Sequence, residues 1–141
     1  MGRLSTLAVT VPVIALAVAW LALLGAERIG ISALWGLIPR NLAEAAAFRD
    51  GAAIVRAVAR GENPDAPAEV RAGFLSTEPL ALTPLEAAAR VSGEEVVRLL
   101  LDLGAGRDAA AWTRAWCSTG ADAVRAELSA ARPADAATEC R

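Results

Sequence analysis

The side chains best suited to chemistry are the thiols of Cys117 and Cys140 and the carboxylates of Glu94, Glu95 and Asp102. A cysteine attacks only when a neighbour draws off its proton, and the usual neighbour is histidine. The chain has no histidine, which also removes the commonest metal ligand. Two cysteines alone do not build a structural zinc site. Cys117 therefore reads either as a small core residue or as half of a bridge to Cys140, the choice depending on redox compartment. The three carboxylates fall on helix positions suited to solvent contact or arginine pairing, and a catalytic pair would need a pocket. There is no G-x-S-x-G elbow, no phosphate-cradling glycine loop and no H-E-x-x-H. The expectation is a protein that is not an enzyme, with no catalytic, metal-binding or cofactor-binding residue and no cofactor.

Composition narrows the alternatives. At 141 residues the chain holds one small domain and an attachment. Hydrophobic residues make up 55% but aromatics only 4%, so alanine carries much of the apolar fraction and favours thinly packed helices. Net charge is −2, which gives no global attraction for nucleic acid. All 14 basic residues are arginine, a coding bias that suggests a GC-rich bacterial genome.

The element around which the rest is organised is Leu82–Ala105, LTPLEAAARVSGEEVVRLLLDLGA. Thr83 can cap a helix, Pro84 suits its first position, and Glu86 completes capping-box spacing. Ser92 and Glu95 repeat that spacing for a second helix, apolar around most of its circumference through Val96, Val97, Leu99, Leu100, Leu101 and Leu103, and Gly104 ends it. One such unit cannot bury its own apolar face, so copies are expected. A gapless shift of 42 residues places Glu44 on Glu86, Ala45–Ala47 on Ala87–Ala89, Gly51 on Gly93, Val55 on Val97 and Arg56 on Arg98. Asn41 and Asp50 then fall on the capping positions Thr83 and Ser92. A shift of 27 in the other direction sets Thr119, Gly120, Val124, Arg125 and Leu128 on Ser92, Gly93, Val97, Arg98 and Leu101. That third copy is polar, as a terminal unit should be.

The pattern T-P-L-x-x-A-A followed by V-V-x-L-L-L-x-x-G-A resembles an ankyrin repeat. It departs from the family at Glu86, where a histidine usually ties neighbouring turns, and at Gly93, one place later than the usual glycine. The resemblance implies a stack of helix pairs that binds other proteins rather than one that carries out a reaction.

Leu4–Ala26 is a run of 23 residues without a charge. As a helix it would be about 34 Å long, enough for a hydrocarbon core of about 30 Å. The expected fold is therefore all-α: an N-terminal single transmembrane helix (1–26), a juxtamembrane segment (27–40), an ankyrin-like stack of about three helix pairs (41–132) and a polar tail (133–141). Trp20 and Trp35 are the expected membrane-interface residues, and the lipid bilayer is a partner through Leu4 to Ala26. A cleaved signal peptide is the rival, with Ala17-Val18-Ala19 as a small-x-small site inside the apolar run. The placement this implies is single-pass in a bacterial inner membrane. A short basic start before a long apolar run resembles a signal anchor, which sends the domain to the periplasmic side.

Glu62–Leu82, with Pro64, Pro67, Pro79 and Gly73, reads as the longest irregular stretch. It holds about nine residues more than an ordinary repeat connection. Arg71, Phe74, Leu75, Glu78 and Leu80 offer an apolar centre with charged edges, the pattern of a small partner-binding hot spot. The opposing reading folds Phe74, Leu75 and Leu80 back onto the repeats. Trp112 and Trp116, four apart, share a helix face, either closing the core or marking a partner site. The function expected is protein–protein interaction, as a scaffold or recognition module. The alternative is a small structural or accessory subunit of a larger membrane complex, held mainly by its transmembrane helix. Protein partners are expected, nucleic acid is not.

Overall fold

The computed structural model describes residues 38–140. Residues 39–140 belong to one compact unit. Three helix pairs follow one another: α1 (Leu42–Ala47) with α2 (Gly51–Ala59), α3 (Pro84–Arg90) with α4 (Glu94–Asp102), and α5 (Ala109–Ser118) with α6 (Asp122–Ala130). Between the first two pairs lie strands β1 (Ala68–Val70) and β2 (Leu80–Leu82). The first helix of each pair packs on the first helix of the next, α1 on α3 and α3 on α5, and the second helices form the other layer.

Alanine sets the spacing of the first layer. Ala43, Ala45, Ala46, Ala87, Ala88 and Ala89 are all buried, and side chains of one carbon let helix axes approach closely. Larger apolar groups come from both layers: Leu42 from α1 and Leu85 from α3 in the first, and Ile54 from α2, Val96, Val97 and Leu100 from α4, Val124 and Leu128 from α6 in the second. Trp112 closes the far end of the core with no exposed surface, and its indole N–H donates to the Leu128 carbonyl at 3.0 Å. Trp116, half-buried, stacks on it at 5.3 Å between centroids.

Local signals account for most helix ends. Asn41, Asp50, Thr83 and Asp108 each accept a backbone N–H from the first turn of the helix that follows, as capping residues do. Ser92 does not. Its φ is +52°, Gly93 takes the cap position without a side-chain bond, and α4 begins at Glu94. The capping box expected from Ser92 and Glu95 is thus not formed. Its counterpart in the first pair is Arg49, with φ +59°. The equivalent residues are therefore 43 apart in the second helices, α2 mapping onto α4 residue for residue, against 42 in the first. For α4 and α6 the spacing is 28, not 27. One residue turns a helix by about 100°, so the gapless alignment named the wrong face: Ile54 is buried and Val55 is 46% exposed.

The expected fold is corrected on further counts. The chain is mostly helical, as expected, and adds a small sheet in which β1 and β2 pair antiparallel, with Ala68 opposite Leu82, Glu69 opposite Ala81 and Val70 opposite Leu80. Val70 and Leu82 turn into the core while Glu69 and Ala81 face out, the alternation of a one-sided sheet. No helix among the described residues is long and apolar enough to cross a membrane, which conflicts with the expected single-pass placement in an inner membrane and its periplasmic orientation. The run Leu4–Ala26 on which it rested lies outside the described residues, as do Trp20 and Trp35. The C-terminal tail is mostly exposed but tied to the domain. Ala136 is buried, the Arg132 guanidinium donates twice to its carbonyl, and Cys140 is bonded to Cys117.

Candidate functional site

The long connection expected to be irregular is a β-hairpin whose nine-residue loop, 71–79, stands on a fixed base. The base is built around Glu44. An acid at the third position of an alanine-lined helix must be paired if it is buried, and only 1% of Glu44 is exposed. Its carboxylate accepts from Arg71 Nε at 2.6 Å and Arg71 Nη2 at 2.9 Å, a bidentate pair. It also accepts the backbone N–H groups of Arg40 at 2.8 Å and Arg71 at 3.2 Å. Burial pushes the Glu44 carboxyl up, but these hydrogen bonds and the Arg71 charge outweigh it and hold the group below its ordinary range. Asn41 adds a second anchor, donating from Nδ2 to the Glu69 carbonyl at 2.8 Å.

The five residues expected to read a partner divide accordingly. Arg71 is spent on Glu44 and also lies over the Phe74 ring at 5.0 Å. Phe74 meets Phe48 edge-on at 4.6 Å, at the turn between α1 and α2. Leu75 and Leu80 are half-buried and pack on the core. Glu78 alone of the five is exposed. Between them the loop makes its own turn: Gly73, at φ +89° where a side chain would be strained, donates its N–H to the Ser76 carbonyl at 2.7 Å, and the Ser76 hydroxyl is bonded to Glu78 backbone. The outward surface is thus Ala72, Gly73, Thr77, Glu78 and Pro79.

Two other ties went unread in the sequence. Asp65 accepts the Gly106 N–H at 2.7 Å, joining the turn before the hairpin to the turn after α4. Gly106 has φ +75°, and a Cβ there would meet Leu85 at 3.0 Å, so the close approach requires glycine. The second tie is Glu86, buried like Glu44. Its backbone N–H takes the Thr83 cap at 3.2 Å, but its carboxylate reaches the next pair instead of closing a capping box. It receives Arg90 Nη2 at 3.0 Å and the Ser118 hydroxyl at 3.3 Å, with Arg114 Nε at 3.7 Å. The signal in the sequence was the recurrence of Glu44 and Glu86 inside alanine runs.

The side chains considered for chemistry are occupied or dispersed. Cys117 and Cys140 form a disulfide, with 5.5 Å between their Cα atoms, which decides between the two readings of Cys117. Glu94 pairs with Arg98, and Glu95 and Asp102 lie on the exposed side of α4. Among the described residues no group of three or more histidine, cysteine or acidic side chains could hold a metal ion. No protein-family model, no curated protein and no solved structure matches the chain.

Proposed function

We propose that the chain is a protein-recognition module of ankyrin-like build, reading its partner with the outward surface of the 71–79 hairpin loop. The observation that carries this is the rigid base. Glu44 holds both the backbone and the side chain of Arg71, and Phe74 packs edge-on against Phe48, so the base of the loop is tied to the first helix pair. A preordered loop loses less entropy when a partner binds. Three stacked helix pairs with tied turns give an extended surface of the kind repeat stacks use for binding. The T-P-L-x-x-A-A motif, which folds as the Thr83 cap and helix α3, and the V-V-x-L-L-L run that folds as α4 support the same reading.

The test is site-specific photo-crosslinking in the cells that make the protein. A photoreactive residue at Glu78 should give a discrete protein adduct, and the same residue at Arg56, on the exposed face of α2, should not. Equal labelling from both positions, or none from Glu78, defeats the reading.

A further inference from the structure

The two buried glutamates that recur in the helix pairs are neutralised differently. Glu44 faces one arginine, which grips it with two donors while two backbone N–H groups take the rest. Glu86 faces two arginines. Arg90 commits one N–H to it, and Arg114 approaches only to 3.7 Å. A guanidinium has five N–H donors, so most of those on Arg90 and Arg114 are uncommitted among the described residues. Both side chains are substantially exposed, 38% and 48%, above a carboxylate that is 8% exposed. Over Glu86 itself two positive charges meet one negative charge, and among the described residues the only other carboxylate lining the space beside Arg114 is that of Glu139. The contrast on the opposite layer is Arg98, which faces two carboxylates, Glu94 and Glu127.

The buried carboxylate also orients the pair. It draws Arg90 from α3 and Arg114 from α5 to one point, with the Ser118 hydroxyl beside them. Arginines held this way meet an incoming carboxylate with little rotamer entropy left to lose. Next to Arg114 lies an open cavity of about 390 Å³, lined by Thr113, Arg114, Cys117, Ala137 and Glu139. Glu139 is exposed, and no ion pair joins it to Arg114, so it does not consume the free donors.

We infer that Arg90 and Arg114, splayed over Glu86, form a receptor for an acidic segment of a protein partner, whose carboxylates complete the charge that Glu86 half satisfies. This rests on the recognition reading above for the class of ligand, but on different residues. The probe is a fluorescein-labelled twelve-residue peptide with glutamate at every third position among glycine and serine, titrated with the full chain and followed by anisotropy. A peptide with glutamine in place of glutamate is the reference.

The glutamate peptide should bind and the reference should not, and Arg90→Gln with Arg114→Gln together should weaken binding at least tenfold. The decisive variant is Glu86→Gln, which keeps an acceptor for Arg90 but removes the competing charge. It should tighten binding about two- to fivefold, the range of one partly exposed ion pair. Glu139→Gln, on the exposed tail, should act in the same direction without any bearing on folding. A merely structural cluster predicts the reverse, with Glu86→Gln lowering the melting midpoint and weakening the peptide as the arginine variants do. Equal binding of the two peptides, or tightening by neither glutamate variant, overturns the inference. Peptide binding without an adduct at Glu78 would retain this receptor and discard the hairpin loop as the reading surface.

Discussion

Reducing the Cys117–Cys140 bridge should cost the domain about 3 kcal/mol. The bridge spans a sequence separation of 23 residues and encloses all of α6. In the chain-entropy account, closing a loop of that length removes roughly 11 cal/mol/K from the unfolded ensemble, or about 3 kcal/mol at 25 °C. Both cysteines are exposed, so replacing them with alanine opens no cavity and leaves nothing polar buried. The difference between the parent and Cys117→Ala with Cys140→Ala therefore isolates the closure. For about 100 ordered residues, each kcal/mol moves the melting midpoint by about 4 °C. The expected fall is then about 12 °C, read by far-UV circular dichroism of the full chain. Dithiothreitol should lower the parent by the same amount and leave the double variant unchanged. A fall below about 3 °C would refute the reasoning. It would mean that Ala136 and the Arg132 bonds hold the tail by themselves, or that the unfolded chain is already confined near the bridge.

The helix register makes a paired prediction for urea unfolding. Ile54→Ala should cost about 2–5 kcal/mol because Ile54 is fully buried, and Val55→Ser should cost under about 0.5 kcal/mol because Val55 faces solvent. Comparable losses would restore the gapless alignment. Glu44 makes a pH prediction. Its folded pKa lies below the ordinary 4.5, so it contributes stability above pH ~4.5 that is lost as pH falls through the folded value. Glu44→Gln should cost about 2–4 kcal/mol at pH 7, somewhat less than a fully buried pair because the Arg71 side chain is 19% exposed. It should also flatten the acid limb of stability against pH. An unchanged acid limb would show that Glu44 carries none of it.

The helix pairs were legible because their signals are local. Thr83, Asn41, Asp50 and Asp108 cap through bonds that span two or three residues, and runs of alanine announce a closely packed layer. The hairpin was not legible. Ala68–Val70 and Leu80–Leu82 are three residues each, too short to show a period of two, and proline and glycine around them read as irregular chain. The register slip was hidden for a different reason. Val55 over Val97 and Arg56 over Arg98 are true identities, but the first joins an exposed residue to a buried one, and the second, exposed in both copies, does not reveal the slip. Only the left-handed turn residues, Arg49 and Ser92, mark where the extra residue enters. At the candidate site, Phe74 and Arg71 stand out in the sequence as a partner-binding pair, but their contacts within the fold, Phe48 and Glu44, lie 26 and 27 residues away, where spacing carries no information. Glu86 reads as a capping residue because its spacing from Thr83 is right. That its carboxylate turns to the next pair follows from packing alone.

The mismatch between 42 in the first helices and 43 in the second bears on how such an array can change by recombination. Tandem units multiply when one copy is exchanged against another at matching sequence. Here the match that misaligned strands would find in the second helices is the gapless one, which is out of phase by one residue. A hybrid joined within α2 and α4 would carry an apolar stripe that turns by about 100° at the junction, exposing part of what must be buried. An exchange falling in α1 and α3, before Arg49 and Ser92, keeps each second helix with its own turn and stays in phase. The extra residue in the second pair thus confines viable rearrangement to half of each unit.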